Sequence, residues 1–133
     1  EKLPYNKLDK PYDTVILNSV IQYFPNLDYL ENVITKVILN MNGYGQIFIG
    51  DIRDDRLLEC FHYSVQYYKN KKATKKQVEY YLKRDKELLV SPEYFVYLQS
   101  LNKCISYIEI LPKLGNSNNE MNNYRYDVIL HII

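Results

Sequence analysis

The 133 residues are 47% hydrophobic and 14% aromatic, enough to bury one core, and no repeat or low-complexity tract divides them, so a single domain over residues 1–133 is expected. A formal charge of +1 and a pI near 7.9 give no overall field that would draw nucleic acid or an anionic membrane surface. No apolar run approaches the roughly 20 residues that span a bilayer. The opening EKLPYNKLDK has no apolar signal core, so a cytoplasmic location is expected. Cys60 and Cys104, the only cysteines, have no second cysteine or histidine at metal-ligand spacing, so two reduced, buried thiols and no metal are expected.

After a polar, proline-punctuated lead, DTVIL (Asp13 to Leu17) is a short β-branched run, which predicts a strand buried on both faces, as in a parallel sheet. Pro25 closes the next turn. Asn26 then caps a helix whose apolar positions Leu27, Leu30, Val33, Ile34, Val37 and Ile38 recur at helical spacing, with an end near Asn40. Gly43 and Gly45 mark a turn before QIFIGD (Gln46 to Asp51), a second buried strand ending on an acid. Strand, helix and strand form one βαβ unit, whose crossover is expected to be right-handed.

Helices are predicted from Arg56 to about Tyr68, from Thr74 to about Leu89, and from Ser91 or Pro92 to Leu101. Thr74 and Ser91 serve as N-caps, and Pro92 sits at the first helical position, where its missing N–H is not needed. CISYIEILP (Cys104 to Pro112) and YRYDVILHI (Tyr124 to Ile132) read as strands of a long hairpin, joined by the polar loop KLGNSNNEMNN. The basic run KNKKATKKQ (Lys69 to Gln77) has no interleaved aromatic platform, and reads as a solvated turn between helices and not as a nucleic-acid site.

Three stretches together carry a family resemblance: DTVILNSVIQYFP (Asp13 to Pro25), GQIFIGDIR (Gly45 to Arg53), and EILPK followed by NE and YRYDVILH (Glu109 to His131). They resemble the fourth strand, the fifth strand and the end of the S-adenosylmethionine-dependent methyltransferase domains embedded in nonribosomal peptide synthetases. KATKKQVEYYL and ELLVSPEYF resemble the helices between them, so the likeness covers nearly the whole chain. It implies an α/β fold of about four strands, the C-terminal half of a class I methyltransferase sheet. The complete sheet is doubly wound with seven strands, the last antiparallel and hairpinned to the sixth. The glycine-rich loop and the ribose-binding acid of the family belong to earlier strands. Neither is in this sequence, and GYG (Gly43 to Gly45) precedes a strand instead of following one, so the S-adenosylmethionine site is expected to be incomplete in this chain.

Ligands of open α/β sheets sit beyond the C-terminal strand ends, where Asn18, Ser19, Gln22 and Tyr23 follow the first strand. Methyl transfer from a sulfonium is an in-line displacement, so the protein must hold the nucleophile about 3 Å from the methyl carbon and exclude water. An aminoacyl α-amine, with a pKa of about 8, already has a neutral fraction at pH 7. Asn18 and Ser19 have the hydrogen-bonding capacity to orient such an amine, and Tyr23 can offer its ring or hydroxyl. Asn119, Glu120, Tyr124 and Arg125 are candidates for the substrate side. Glu120 would meet the amine, and Arg125 would meet Glu120 or a phosphopantetheine group. Asp51 reads as a helix cap or a substrate contact. His62 and His131 have no catalytic setting. The resemblance implies an aminoacyl-carrier domain with phosphopantetheine and the missing N-terminal half as partners, with amine methylation as the reaction. An O- or C-methyltransferase is its nearest variant. The alternative is a non-catalytic module that forms a homodimer through the exposed edge of the first strand.

Overall fold

The computed structural model describes residues 12–133, and the polar lead lies outside them. The strands β1 (Tyr12–Asn18), β2 (Met41–Arg53), β3 (Ile105–Pro112) and β4 (Arg125–Ile132) form one mixed sheet in the order β1-β2-β4-β3. β1 and β2 are parallel neighbours, with Val15 opposite Ile47 and Leu17 opposite Ile49. β4 runs antiparallel to both β2 and β3. The predicted strand–helix–strand unit and the terminal hairpin are therefore both present.

Helix α1 (Leu27–Leu39) begins where the Asn26 side chain accepts a hydrogen bond from the Tyr29 backbone N–H, and its buried face is Leu30, Val33, Ile34 and Val37. α2 (Leu58–Asn70) follows a 3₁₀ turn at Asp55–Leu57. A Thr74–Gln77 capping box starts α3 (Lys75–Leu82), so the basic run is the turn between these helices. Pro92 opens α4 (Pro92–Leu101) at its first turn. One core results, in which α1 and α4 pack on Ile47, Ile49, Val128, Leu130, Ile132 and Ile105.

The sheet's two faces differ. Across one, Val15, Ile47, Leu130 and Ile108 stand in a row, and across the other Ile16, Phe48, Ile129 and Glu109 do. Ile16 is 66% exposed and Tyr107, on the same open face, 61%. β1 is therefore buried on one face and not on both, and no described helix covers its second face. The continuous apolar run is a pattern for two-sided burial that the described residues only half satisfy.

α3 stops at Leu82, seven residues short of the predicted Leu89. The chain leaves the helix because Asp85 turns inward to Arg53, with both guanidinium contacts at 2.8 Å. The Leu88 N–H then donates to the Gln22 carbonyl, and the Val90 N–H to that of Arg53. His62 Nε2 lies 3.0 Å from Asp85 Oδ2. Part of the predicted polar loop is a short helix, α5 (Glu120–Tyr124), capped by Asn119, which shortens the last strand by one residue. Cys60 and Cys104 are exposed, contrary to the burial expected of them.

Gly45 lies where four residues of β2, Asn42 to Gly45, bulge out against a single residue of β1. A Cβ there would overlap the Asp13 carbonyl oxygen. Gly45→Ala should cost about 2 kcal/mol or more in urea unfolding, and a change below about 0.5 kcal/mol would contradict this packing.

Burial opposes ionisation of Asp85, but the hydrogen bonds from Arg53 are the larger effect and hold its carboxyl at about 2. A depressed folded pKa stabilises above the unfolded value and loses that stability as pH falls through the folded one. The chain should therefore lose roughly 2 kcal/mol between about pH 4 and pH 2 through this group. Asp85→Asn should remove that acid-dependent loss. It should also cost about 3 kcal/mol at pH 7, because Arg53 is left buried beside its weaker partners.

Candidate functional site

β1 ends at Asn18, opposite Gly50, while β2 runs on to Arg53 beside β4; the residue after each of this pair is left-handed, Ser19 at φ 53° and Asp51 at φ 60°. Non-glycine residues in this conformation cost about 1 kcal/mol or more and persist where surrounding contacts hold them. Here the contacts are specific. The Ser19 hydroxyl donates to Asp51 Oδ2, and the Ser19 N–H donates to the Gly50 carbonyl at 3.1 Å.

Asp51 belongs to a bulge, in which Gly50 and Asp51 of β2 face Asp127 alone on β4. The Asp51 N–H donates to Asp127 Oδ1 at 2.8 Å. Lys113, just past β3, bridges the two carboxylates, with Nζ 2.6 Å from Asp51 Oδ1 and 2.6 Å from Asp127 Oδ1. Burial pushes the Asp51 carboxyl up, but hydrogen bonds from Lys113 and Ser19 together outweigh it and hold the group below its ordinary value. Burial likewise lowers the Lys113 ammonium, and its bonds to Asp127 and Asp51 raise it overall. Asp51 is thus neither a helix cap nor a free acid. Asp54 is the residue that caps the next turn, accepting from the Arg56 N–H.

Asn18 ends β1 exposed, with its side chain laid over Gly50, where a Cβ would overlap Asn18 Oδ1. Its amide makes no hydrogen bond to another described residue. Gln22, 5% exposed, donates from Nε2 to the Ser19 carbonyl at 3.1 Å. Gln22 Oε1 is buried without a donor among the described residues, a state that costs free energy unless a donor arrives. Tyr23, 72% exposed, points to solvent instead of the core.

The second group of candidates reaches the same edge of the sheet. Arg125 Nη2 binds Glu120 Oε1 at 2.7 Å, and its Nη1 approaches the Asp51 carbonyl oxygen at 3.5 Å. Glu120 also lies 3.9 Å from Arg53 Nε. Asn119 serves as the cap of α5, accepting from the Asn122 N–H at 3.0 Å. Tyr124 packs edge-on against Phe61 at 5.4 Å. The sequence reading missed Lys113 and Asp127, single charges at strand ends whose meeting depends on the hairpin's register. The histidines fill structural pairs, His62 with Asp85 and His131 with Glu109 at 2.6 Å. Among the described residues no cluster of metal-ligand side chains occurs, and no helix is long and apolar enough to cross a membrane.

The edge thus offers two unspent polar groups, the Asn18 amide and Gln22 Oε1, while Asp51, Asp54, Asp127 and Glu120 are all engaged in ion pairs. These residues suit a small ligand carrying N–H donors. They do not suit the ribose diol of S-adenosylmethionine, which needs a carboxylate free to accept.

Replacing Lys113 by Met would leave two carboxylates facing each other across the bulge. At pH 7 this should cost about 2 kcal/mol in chemical unfolding. Mutual repulsion would raise one carboxyl above its unfolded value, a shift whose stabilisation exists below that value and is lost as pH rises. Lys113→Met should therefore be more stable at pH 5 than at pH 7, whereas the unmodified cluster gains nothing on acidification. Equal stability of the variant at both pH values would contradict the shared-ammonium geometry.

No family model matches the chain. It is 38% identical over 120 residues to a probable non-canonical nonribosomal peptide synthetase of Salinispora arenicola, a match covering 90% of this chain and 2% of that protein. Chondramide synthase of Chondromyces crocatus is 38% identical over 126 residues, covering 91% of this chain and 3% of the synthase. Beauvericin nonribosomal cyclodepsipeptide synthetase of Beauveria bassiana is 36% identical over 126 residues, covering 90% of this chain and 4% of the synthetase. The chain thus spans only a few per cent of the length of these relatives, and about nine-tenths of it is similar to a segment of nonribosomal peptide synthetases.

Proposed function

We propose that this chain is the rear portion of an S-adenosylmethionine-dependent methyltransferase domain in a nonribosomal peptide synthetase, and that the domain methylates the amine of a carrier-bound aminoacyl group. The observation that carries this reading is the convergence at one sheet edge. Asn18 and Gln22 beyond β1, the Asp51 bulge of β2 and the Glu120–Arg125 pair before β4 meet there, in a chain similar to synthetase segments. The antiparallel last strand, paired with the strand before it, agrees with the resemblance.

The chain's own residues supply orientation. The Asn18 amide and the orphan Gln22 Oε1 accept N–H hydrogens of the substrate amine and aim its lone pair. Ser19, Asp51 and Lys113 fix the backbone from which Asn18 projects, so the geometry is preset before substrate arrives. Bound S-adenosylmethionine would supply an activated methyl group, on ribose-binding residues outside this chain. A neutral amine needs no strong base, which agrees with an edge where every acid is already paired.

Mass spectrometry of an aminoacyl thioester on its carrier, processed by the parent synthetase, tests this. A methyl group should be added to the amine, and Asn18→Ala should slow the addition about 100-fold. Gln22→Met should slow it about tenfold, while costing the isolated chain less than about 1 kcal/mol because the orphan acceptor disappears. A parent that leaves the amine unmethylated would overturn the reading.

A second reading, a non-catalytic module that dimerises, is favoured by one observation. β1 is an edge strand, with exposed Ile16 and no proline or lysine to blunt it. Light scattering decides it: a dimer abolished by Ile16→Lys supports this reading, and a monomer at high concentration removes it.

A further inference from the structure

The basic run takes no part in the cluster at the strand ends. Its five lysines, Lys69, Lys71, Lys72, Lys75 and Lys76, stand in a stretch that holds no acid. All five are exposed, and among the described residues no carboxylate lies within ion-pair distance of any of them. Arg53, Arg56, Lys113 and Arg125, by contrast, each bind at least one carboxylate. The whole chain carries only +1, so this one turn is a positive pole on an otherwise net-acidic molecule. Local rules are broken at the same place. Lys71, the residue after α2, is left-handed at φ 53°, where glycine or asparagine is favoured. Lys75 and Lys76 open α3, where the helix dipole favours acids, and no acid stands in that first turn. Crowded like charges also repel one another. A negatively charged partner would offset the last two of these costs.

Beside the lysines lies a broad, open concavity. Tyr63 and Tyr67, one turn apart on α2, wall it, and Lys72, Ala73 and Thr74 close it. Its lining is mostly carbon, and Tyr67 is 60% exposed. An apolar floor with a charged rim is the anatomy of a protein interface, where tyrosine is enriched. Nucleic acid calls for open ring faces on which bases stack. Here Lys71 Nζ stands over the Tyr68 ring, 5.6 Å from its centroid, and the Arg84 guanidinium over the Tyr80 ring at 3.6 Å, so each of these rings already carries a cation. A lipid surface calls for an apolar helix face to bury. The exposed residues at the end of α2, Ser64, Tyr67, Tyr68, Lys69 and Asn70, each carry a hydroxyl, an amide or an ammonium.

We propose that the tip formed by the end of α2 and the start of α3 is a docking surface for an acidic protein segment. One apolar side chain of that segment enters between Tyr63 and Tyr67, and the carboxylates flanking it pair with the lysines of the turn. Charge complementarity speeds and orients such an encounter, and the buried side chain supplies the affinity. The inference stands on the tip alone and goes beyond the methylation reading.

The test is an NMR titration of the isotope-labelled chain, at about 20 mM salt where exposed charges are weakly screened. The probe is a blocked peptide with a pair of glutamates on each side of one phenylalanine. The backbone amides of Tyr63, Tyr67, Lys72 and Thr74 should shift, and the dissociation constant should rise about fivefold or more at about 200 mM salt. Alanine in place of the peptide's phenylalanine should weaken binding about threefold or more, and so should Tyr67→Ala and the double variant Lys72→Gln, Lys76→Gln. The substituted positions are exposed, and circular dichroism matching the unmodified chain shows each variant folded. Tip amides that stay unmoved by the peptide would overturn the proposal, and so would undiminished binding in both variants. Tighter binding of oligouridylate or of phosphatidylserine vesicles would overturn it in favour of nucleic acid or lipid. The same amides shifting when the chain alone is concentrated would overturn it in favour of a second copy.

Discussion

Asp51 and Asp127, carboxylates from neighbouring strands, close on the single ammonium of Lys113, each at 2.6 Å. Two like charges this near would repel by several kcal/mol in a half-buried setting were the cation absent. The ammonium makes the bulge at Gly50–Asp51 tolerable, and the bulge turns the Asp51 side chain to meet the Ser19 hydroxyl. Ser19 then holds its left-handed conformation, and Asn18 lies flat over the side-chain-free surface of Gly50. Asn18, Ser19 and Gln22 are thus placed by contacts that lead back to Lys113 through the bulge, whereas Tyr23 points to solvent.

A second ionic group does comparable work below the first. Arg53, buried at the end of β2, binds Asp85 through both terminal nitrogens, with Glu87 at 3.2 Å, and Asp85 also meets His62. Through it the segment between α3 and α4 is drawn under the Gln22 turn, where the Leu88 N–H takes the Gln22 carbonyl. Gln22 is thus clamped by its backbone while its side-chain oxygen stays unfilled. A buried acceptor held open by surrounding structure is what a preorganised ligand contact looks like before the ligand arrives.

Much of this architecture was legible in the chain. The β-branched runs of β1 and β2, the Asn26 cap, the capping box at Thr74, Pro92 at a helix start and the alternation in the final hairpin are local signals, and each acted as local physics predicts. What could not be read were features decided at a distance. α3 ends at an ion pair with a residue 32 positions earlier, which no helical periodicity announces. Asp51 looked like a cap because the bulge that redirects it arises from a register shift against β4. Lys113 and Asp127 carry no local signal, because only the hairpin's register brings them together. α5 is short, and its polar sequence, EMNNY, carries no apolar period. The open second face of β1 ran against a sequence pattern that anticipates cover on both sides.

In the proposed methyl transfer, the edge formed by Asn18 to Tyr23 and the Asp51 bulge faces the reacting groups. Photolabelling of the parent synthetase with radiolabelled S-adenosylmethionine, followed by peptide mapping, tests it most directly. Label should appear within the peptide that spans Asn18 to Tyr23 and be diminished by an excess of the unlabelled donor. Saturable label elsewhere in the synthetase, with none in that peptide or in Asn119 to Asp127, would contradict it.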